Sequence, residues 1–213
     1  MKRISRALLL MLAATLALAA LGVSTALAVP SFTASTTPAI IAGSTSGAEV
    51  LRTEAGVVEC DTVLEGSLEA TSSTLQITPT YTNCKAFGFT TGEVNPMGCG
   101  FEYHATEKVS EGIYKSHVDL LCGGTNTLTI KAPFPNPVCE AEVAQQTGKT
   151  FTLMSNSGST VVFKTEAGSI DYTVTKDGFL CPFNGTGLKH GGELKGLVVM
   201  SRFGGGSFTL SGS

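Results

Sequence analysis

Cys99-Gly100-Phe101-Glu102-Tyr103-His104-Ala105-Thr106-Glu107-Lys108-Val109-Ser110-Glu111-Gly112-Ile113-Tyr114-Lys115-Ser116-His117-Val118-Asp119-Leu120-Leu121-Cys122 reads as two alternating strands around a turn. A four-residue loop, Val109-Ser110-Glu111-Gly112, pairs Lys108 with Ile113. Counting outward then pairs Thr106 with Lys115, His104 with His117, Tyr103 with Val118, Glu102 with Asp119 and Phe101 with Leu120, and sets Cys99 opposite Cys122. Opposed residues of an antiparallel pair lie about 4.5–5.5 Å apart at Cα, within reach of a disulfide, so register and bridge support each other. The same register turns Cys99, Phe101, Tyr103, Ala105, Ser116, Val118, Leu120 and Cys122 toward a core. A slip of one residue would bury Glu102, His104, His117 and Asp119 instead, at several kcal/mol for each unpaired charge.

Those four polar residues share the outer face of the hairpin. Two imidazoles and two carboxylates form an acceptable ligand set for zinc or copper, provided that the opposed rings tilt to converge. A solvated sheet face accounts for the same pattern, because alternation puts polar residues outside with or without a ligand. The sequence favours the solvated face and keeps Glu102, His104, His117 and Asp119 as a candidate metal set.

Working outward, short alternating runs punctuated by Gly, Asn, Pro and Ser occupy 57–70, 74–82, 126–132, 138–144, 150–155, 160–166, 169–175 and 193–203. There are 25 glycines and no tryptophan, and apolar runs of helical period do not exceed two turns. The expected fold is therefore all-β, an antiparallel β-sandwich or barrel-like domain stapled by disulfides. The six cysteines are even in number, and no Cys-x-x-Cys pair suggests a zinc knuckle. Cys60–Cys84 joins the hairpin formed by 57–70 and 74–82. Strand parity puts Cys84 on the wrong face unless a bulge intervenes or the strand has ended. Elimination leaves Cys139–Cys181. Six cysteines allow fifteen connectivities, of which this nearest-neighbour set is one.

The chain opens with Lys2, Arg3 and Arg6, an uncharged apolar run over 7–23, and Ala26-Leu27-Ala28. This is the pattern of a signal peptide over 1–28, cleaved after Ala28. The expected organisation continues with a flexible lead-in at 29–48, a disulfide-stapled domain at 49–203 and a flexible tail at 204–213. Cleavage removes three basic residues and no acidic one, leaving 11 of the 14 Lys and Arg against 17 Asp and Glu, a net charge of −6. That balance disfavours nucleic acid and anionic membrane surfaces, whose binding needs clustered cations. No second long apolar run offers stable membrane insertion after cleavage.

Motifs of catalysis are missing. There is no Gly-x-Ser-x-Gly, His-Glu-x-x-His or phosphate-binding Gly-x-x-x-x-Gly-Lys-Ser/Thr. His190 falls in a Lys189-His190-Gly191-Gly192 loop, and Asn184-Gly185-Thr186 is a formal glycosylation sequon. No catalytic residue or cofactor is assigned.

Two segments, Leu75-Gln76-Ile77-Thr78-Pro79-Thr80-Tyr81-Thr82-Asn83-Cys84-Lys85-Ala86-Phe87-Gly88-Phe89 and Phe179-Leu180-Cys181-Pro182-Phe183-Asn184-Gly185-Thr186, resemble those of a group of uncharacterised secreted bacterial proteins with similarly spaced cysteines. The resemblance covers most of 57–190. It implies bacterial export and a shared cystine framework, and carries no activity. The functional expectation is a secreted or envelope-associated, non-enzymatic β domain that meets an extracellular or envelope partner by surface contact. The alternatives are a secreted hydrolase with an unrecognised site and a metal-binding β domain.

Overall fold

A computed structural model describes residues 29–212, apart from 55, 89, 133–138 and 180. The signal peptide expected at 1–28 lies outside the described residues. Every described element is a strand: β1 (Ser31–Ala34), β2 (Ala39–Thr45), β3 (Glu49–Thr53), β4 (Gly56–Leu68), β5 (Thr74–Ala86), β6 (Thr90–Thr91), β7 (Glu93–Asn95) and β8 (Gly100–Ser110), followed by β9 (Ile113–Leu121), β10 (Leu128–Ala132), β11 (Cys139–Val143), β12 (Gln146–Ser157), β13 (Thr160–Lys176), β14 (Gly187–Arg202) and β15 (Phe208–Ser211). The alternation in the sequence explains them. In β4, Val58, Cys60, Thr62 and Leu64 are buried while Glu59, Asp61, Val63 and Glu65 face out. A helix would spread those charges around its surface, whereas a strand keeps them on one side.

All pairings are antiparallel, and they close on themselves. From β2 the hydrogen-bonded neighbours run through β4, β5, β8, β9, β12, β13 and β14 and back to β2. At the other end of the long strands, β3 takes the place of β2 between β4 and β14, while β11, β10 and β7 follow from β13. There the Gly92 N–H donates to the Cys84 carbonyl at 2.8 Å and β6 pairs with β5, which brings the circuit back to β5. Two closed circuits therefore share β4, β5, β13 and β14. Closure satisfies backbone groups that an open sheet would leave on its edges.

One end of the interior is filled by rings. Phe32 and Phe208, both 0% exposed, stack at centroid distances of 6.3 Å (Phe32 to Phe163) and 6.0 Å (Phe32 to Phe208), and Tyr103 meets Phe163 edge-on at 5.0 Å. Phe32 and Phe208 come from β1 and β15, which pair with each other and cover this end. The flexible lead-in expected at 29–48 and the flexible tail expected at 204–213 are thus corrected: each contains strand, and each places a phenylalanine in the core. Small and polar composition suggested mobility. The separated residues Phe32, Ile41, Phe208 and Leu210 instead anchor these segments by burial. Asn156 fixes β15 from the side, donating from Nδ2 to the Leu210 carbonyl and accepting from the Leu210 N–H through Oδ1, both at 2.8 Å. Asn156→Ala is expected to cost about 1–3 kcal/mol, with faster amide exchange at Leu210 than in β13 as the local readout.

The hairpin keeps the expected pairs from Phe101–Leu120 to Ala105–Ser116 and then departs from them. Shifts between Ala105 and Glu107 and between Lys108 and Ser110 pair Glu107 with Lys115, Lys108 with Tyr114 and Ser110 with Ile113. The turn is therefore the two residues Glu111-Gly112, with Gly112 at φ 70°, instead of a four-residue loop. Bulges absorb the difference, and Tyr114 turns inward while Ile113 is left outside.

Disulfides join Cys60 to Cys84, Cys99 to Cys122 and Cys139 to Cys181, with Cα separations of 4.1, 4.1 and 5.6 Å, and no cysteine is free. Cys84 reaches its partner through an irregularity: register shifts between Glu59 and Asp61 opposite Asn83, whose φ is 51°. Three such bridges suit an oxidising, extracellular setting. Among the described residues no helix is long and apolar enough to cross a membrane.

Candidate functional site

Between the ring-filled end and the opposite end, where Phe183 packs against Phe87 and Tyr172, the interior is hollow. A cavity lies where the two circuits meet, walled by apolar side chains that include Leu51, Val58, Phe101, Val118, Leu128 and Leu194. Water centres can occupy ≈ 60 Å³ of it, room for on the order of four to six waters or one small ring or short chain. Leu51, Val94, Gln146 and Leu194 are half-buried and form the side nearest solvent.

The cavity wall carries one carboxylate. Glu49 starts β3 opposite Cys60, and the parity of β3 turns it inward together with Leu51. It is 9% exposed, and its Oε2 has no hydrogen-bond partner. Loss of water around the charged form raises its pKa from 4.5 to about 7, with the neighbouring Thr62 hydroxyl pulling weakly the other way. The same surroundings, together with the charge of Glu49, push the phenols of Tyr81 and Tyr103 above their usual range. Gly196 lies alongside the carboxylate arm: a Cβ there would meet Glu49 Cγ at 3.4 Å, an ordinary contact. Gln146 is held by backbone, donating to the Asp171 carbonyl and accepting from the Asp171 N–H, both at 3.0 Å. It borders the cavity without bonding Glu49.

The four outer-face residues singled out from the sequence are brought together. Glu102 pairs with Asp119 and His104 with His117 across β8 and β9. His104 Nε2 is 3.0 Å from Glu102 Oε1 and 3.2 Å from Asp119 Oδ2. The two imidazoles stack at 4.3 Å with planes 12° apart. Each carboxylate is fixed through its other oxygen: Gln76 Nε2 donates to Glu102 Oε2 at 2.8 Å, and the Gly148 N–H donates to Asp119 Oδ1 at 2.8 Å.

His190 is paired with Asp171 and bonds neither Glu49 nor the four outer-face residues. Its Nδ1 is 2.7 Å from Asp171 Oδ1, a contact that holds the Asp171 carboxyl below its ordinary range with help from Lys149. Among the described residues no serine hydroxyl bonds His190, so the pair lacks the nucleophile of a hydrolytic triad. In the sequon, the Asn184 N–H meets Glu54 and the Gly185 N–H meets Asp177, which shapes an exposed turn.

Sequence reasoning missed Glu49 because it took this residue only as the edge of the folded part. The available signal was the Glu49-Val50-Leu51 alternation, which puts a charge and a leucine on one face. No family model, curated protein or solved structure matches the chain.

Proposed function

We propose that this chain is an exported, non-enzymatic β domain that holds one small, mainly apolar molecule in the interior cavity, with a hydrogen-bond-donating head, such as an amine, against Glu49. The observation that carries the reading is the unpartnered Oε2 of a buried carboxylate facing an otherwise apolar hollow. Leaving such an oxygen unsatisfied costs about 1–3 kcal/mol, and a ligand that bonds it recovers that cost along with its own apolar burial. With a pKa of about 7, Glu49 is close to half ionised at neutral pH, and a cationic amine would drive it to the carboxylate.

Export draws support from the oxidised cysteines and from the basic, apolar and Ala-x-Ala order of residues 1–28. Contact through the outer surface has weaker support. Phe151, Leu153, Leu197 and Val199 are exposed on neighbouring strands, but Lys115, Lys164 and Glu166 interleave them, which is common on protein surfaces.

Isothermal titration with benzylamine, n-butylamine and toluene tests the cavity. The amines are expected to bind at one site, at least tenfold more tightly than toluene, releasing protons at pH 7 as Glu49 ionises. Glu49→Gln should remove that preference, and Val118→Phe should block all three. Equal affinities for benzylamine and toluene would discard the head-group assignment, and no binding by any probe would discard the cavity reading.

A further inference from the structure

We infer that Glu102, His104, His117 and Asp119 form a divalent transition-metal site, best matched to zinc, on the outer face of the β8–β9 hairpin. It is separate from the interior cavity. The ligand atoms of His104, His117 and Asp119 lie within 4.8 Å of one another, and Glu102 Oε1 is 3.0 Å from His104 Nε2.

Three features go beyond a chance cluster of polar side chains. The first is spacing. Zinc bonds to nitrogen and oxygen are about 2.0–2.1 Å, so tetrahedral ligand atoms sit about 3.3 Å apart. The 3.0 and 3.2 Å separations from His104 Nε2 to the two carboxylate oxygens are close to that edge.

The second feature is direction. Nε2 is shielded from solvent and makes no hydrogen bond despite those short distances, so the carboxylate oxygens flank the ring's N–H axis and do not lie on it. A tetrahedral ligand atom lies about 35° off its neighbour's bond to the metal, an angle at which a 3.0 Å contact would still be a hydrogen bond, so zinc requires the His104 ring to turn slightly toward the two oxygens. A salt bridge to a protonated imidazole would align one oxygen with the N–H.

The third feature is support. Gln76 and the Gly148 N–H each hold one oxygen of Glu102 and Asp119, leaving Oε1 and Oδ2 turned to His104. Outer hydrogen bonds of this kind orient metal-binding carboxylates. Moreover, Glu102 and Asp119 are direct cross-strand partners, a placement that is destabilising for two like charges unless a cation sits between them. His117 supplies the fourth ligand by rotating out of its stack on His104, since parallel rings do not aim at one point.

Zinc chloride titrated into the disulfide-intact protein by calorimetry, with equilibrium dialysis for stoichiometry, tests the site. One zinc per chain is expected. His104→Ala should weaken binding at least 100-fold, His117→Ala at least tenfold, and the exposed Gln76→Ala 10–100-fold without altering the far-ultraviolet circular dichroism. His190→Ala, which removes a histidine paired with Asp171 and with none of the four ligands, should leave affinity unchanged. In the absence of zinc, the His104 and His117 ring resonances should be sharp, and both should shift on addition of metal. No binding by the wild type, or equal binding by wild type, His104→Ala and Gln76→Ala, would overturn the assignment. So would a loss of affinity in His190→Ala equal to that in His104→Ala. Failure of benzylamine to bind would leave this inference untouched, because the two sites share no residue.

Discussion

Reduction of the three disulfides is expected to unfold the protein at ambient temperature. The bridges span 24, 23 and 42 residues. Closing loops of these lengths in the unfolded chain is worth about 3–4 kcal/mol each by chain entropy, and about 10 kcal/mol together. Domains of this size are stable by about 5–15 kcal/mol, so the cystines account for most of the margin. Replacing Cys139 and Cys181 together by alanine should cost the most, about 4 kcal/mol, because that bridge closes the longest loop. It also ties β11 to the turn before β14, where few other contacts hold Cys181. The Cys60 and Cys99 pairs should each cost about 3 kcal/mol. Urea unfolding followed by near-ultraviolet circular dichroism, with and without reductant, measures the effect. An unchanged midpoint after complete reduction would show that the sheet circuits alone hold the fold.

Between pH 5 and pH 8 the protein is expected to lose about 2.5 kcal/mol of stability through Glu49. Its carboxyl has a folded-state pKa of about 7 against 4.5 when exposed. The folded chain therefore binds more protons than the unfolded chain across that interval, and stability falls as pH rises. The whole shift converts to about 3 kcal/mol, most of it lost between pH 5 and pH 8, and because Glu49 is buried, solvent screening does not dilute it. Below about pH 3.5 both states are protonated and the slope vanishes. The paired carboxylates have the opposite sign and a lower window. Glu140 beside Lys176 and Asp171 beside His190 titrate below their ordinary values, so their stabilisation is lost as pH falls beneath about 4.5. Glu49→Gln should flatten the profile from pH 5 to 8 and raise stability at pH 8, while leaving the acid limb in place. A wild-type profile level from pH 5 to 8, or a slope that survives Glu49→Gln, would refute the burial argument. A saturating amine should also flatten the slope, which links this measurement to the proposed ligand.

The outer-face cluster was legible before the fold because strand parity and cross-strand pairing are local. Once Phe101 and Leu120 face the core, Glu102, His104, His117 and Asp119 must face out, opposite one another. The carboxylate supports were not legible: Gln76 and Gly148 lie 26 and 29 residues from the side chains they hold. The cavity was hidden for the same reason. Its walls come from eleven strands, and a hollow is a failure of distant side chains to meet, which no window of sequence displays.

The amino-acid order alone settled that the chain is built of antiparallel strands, which faces of the β8–β9 hairpin turn inward, and that exposed charge would be net acidic. These follow from the period-two pattern and from composition, both short-range properties. Only the tertiary arrangement decided that the segments carrying Phe32, Ile41, Phe208 and Leu210 belong to the core, that the pairings close into two circuits, and that Glu49 faces an unfilled interior. Closure and burial depend on contacts across the whole length of the chain, as when Phe32 meets Phe208. Their free energy comes from water excluded by residues that the sequence keeps far apart.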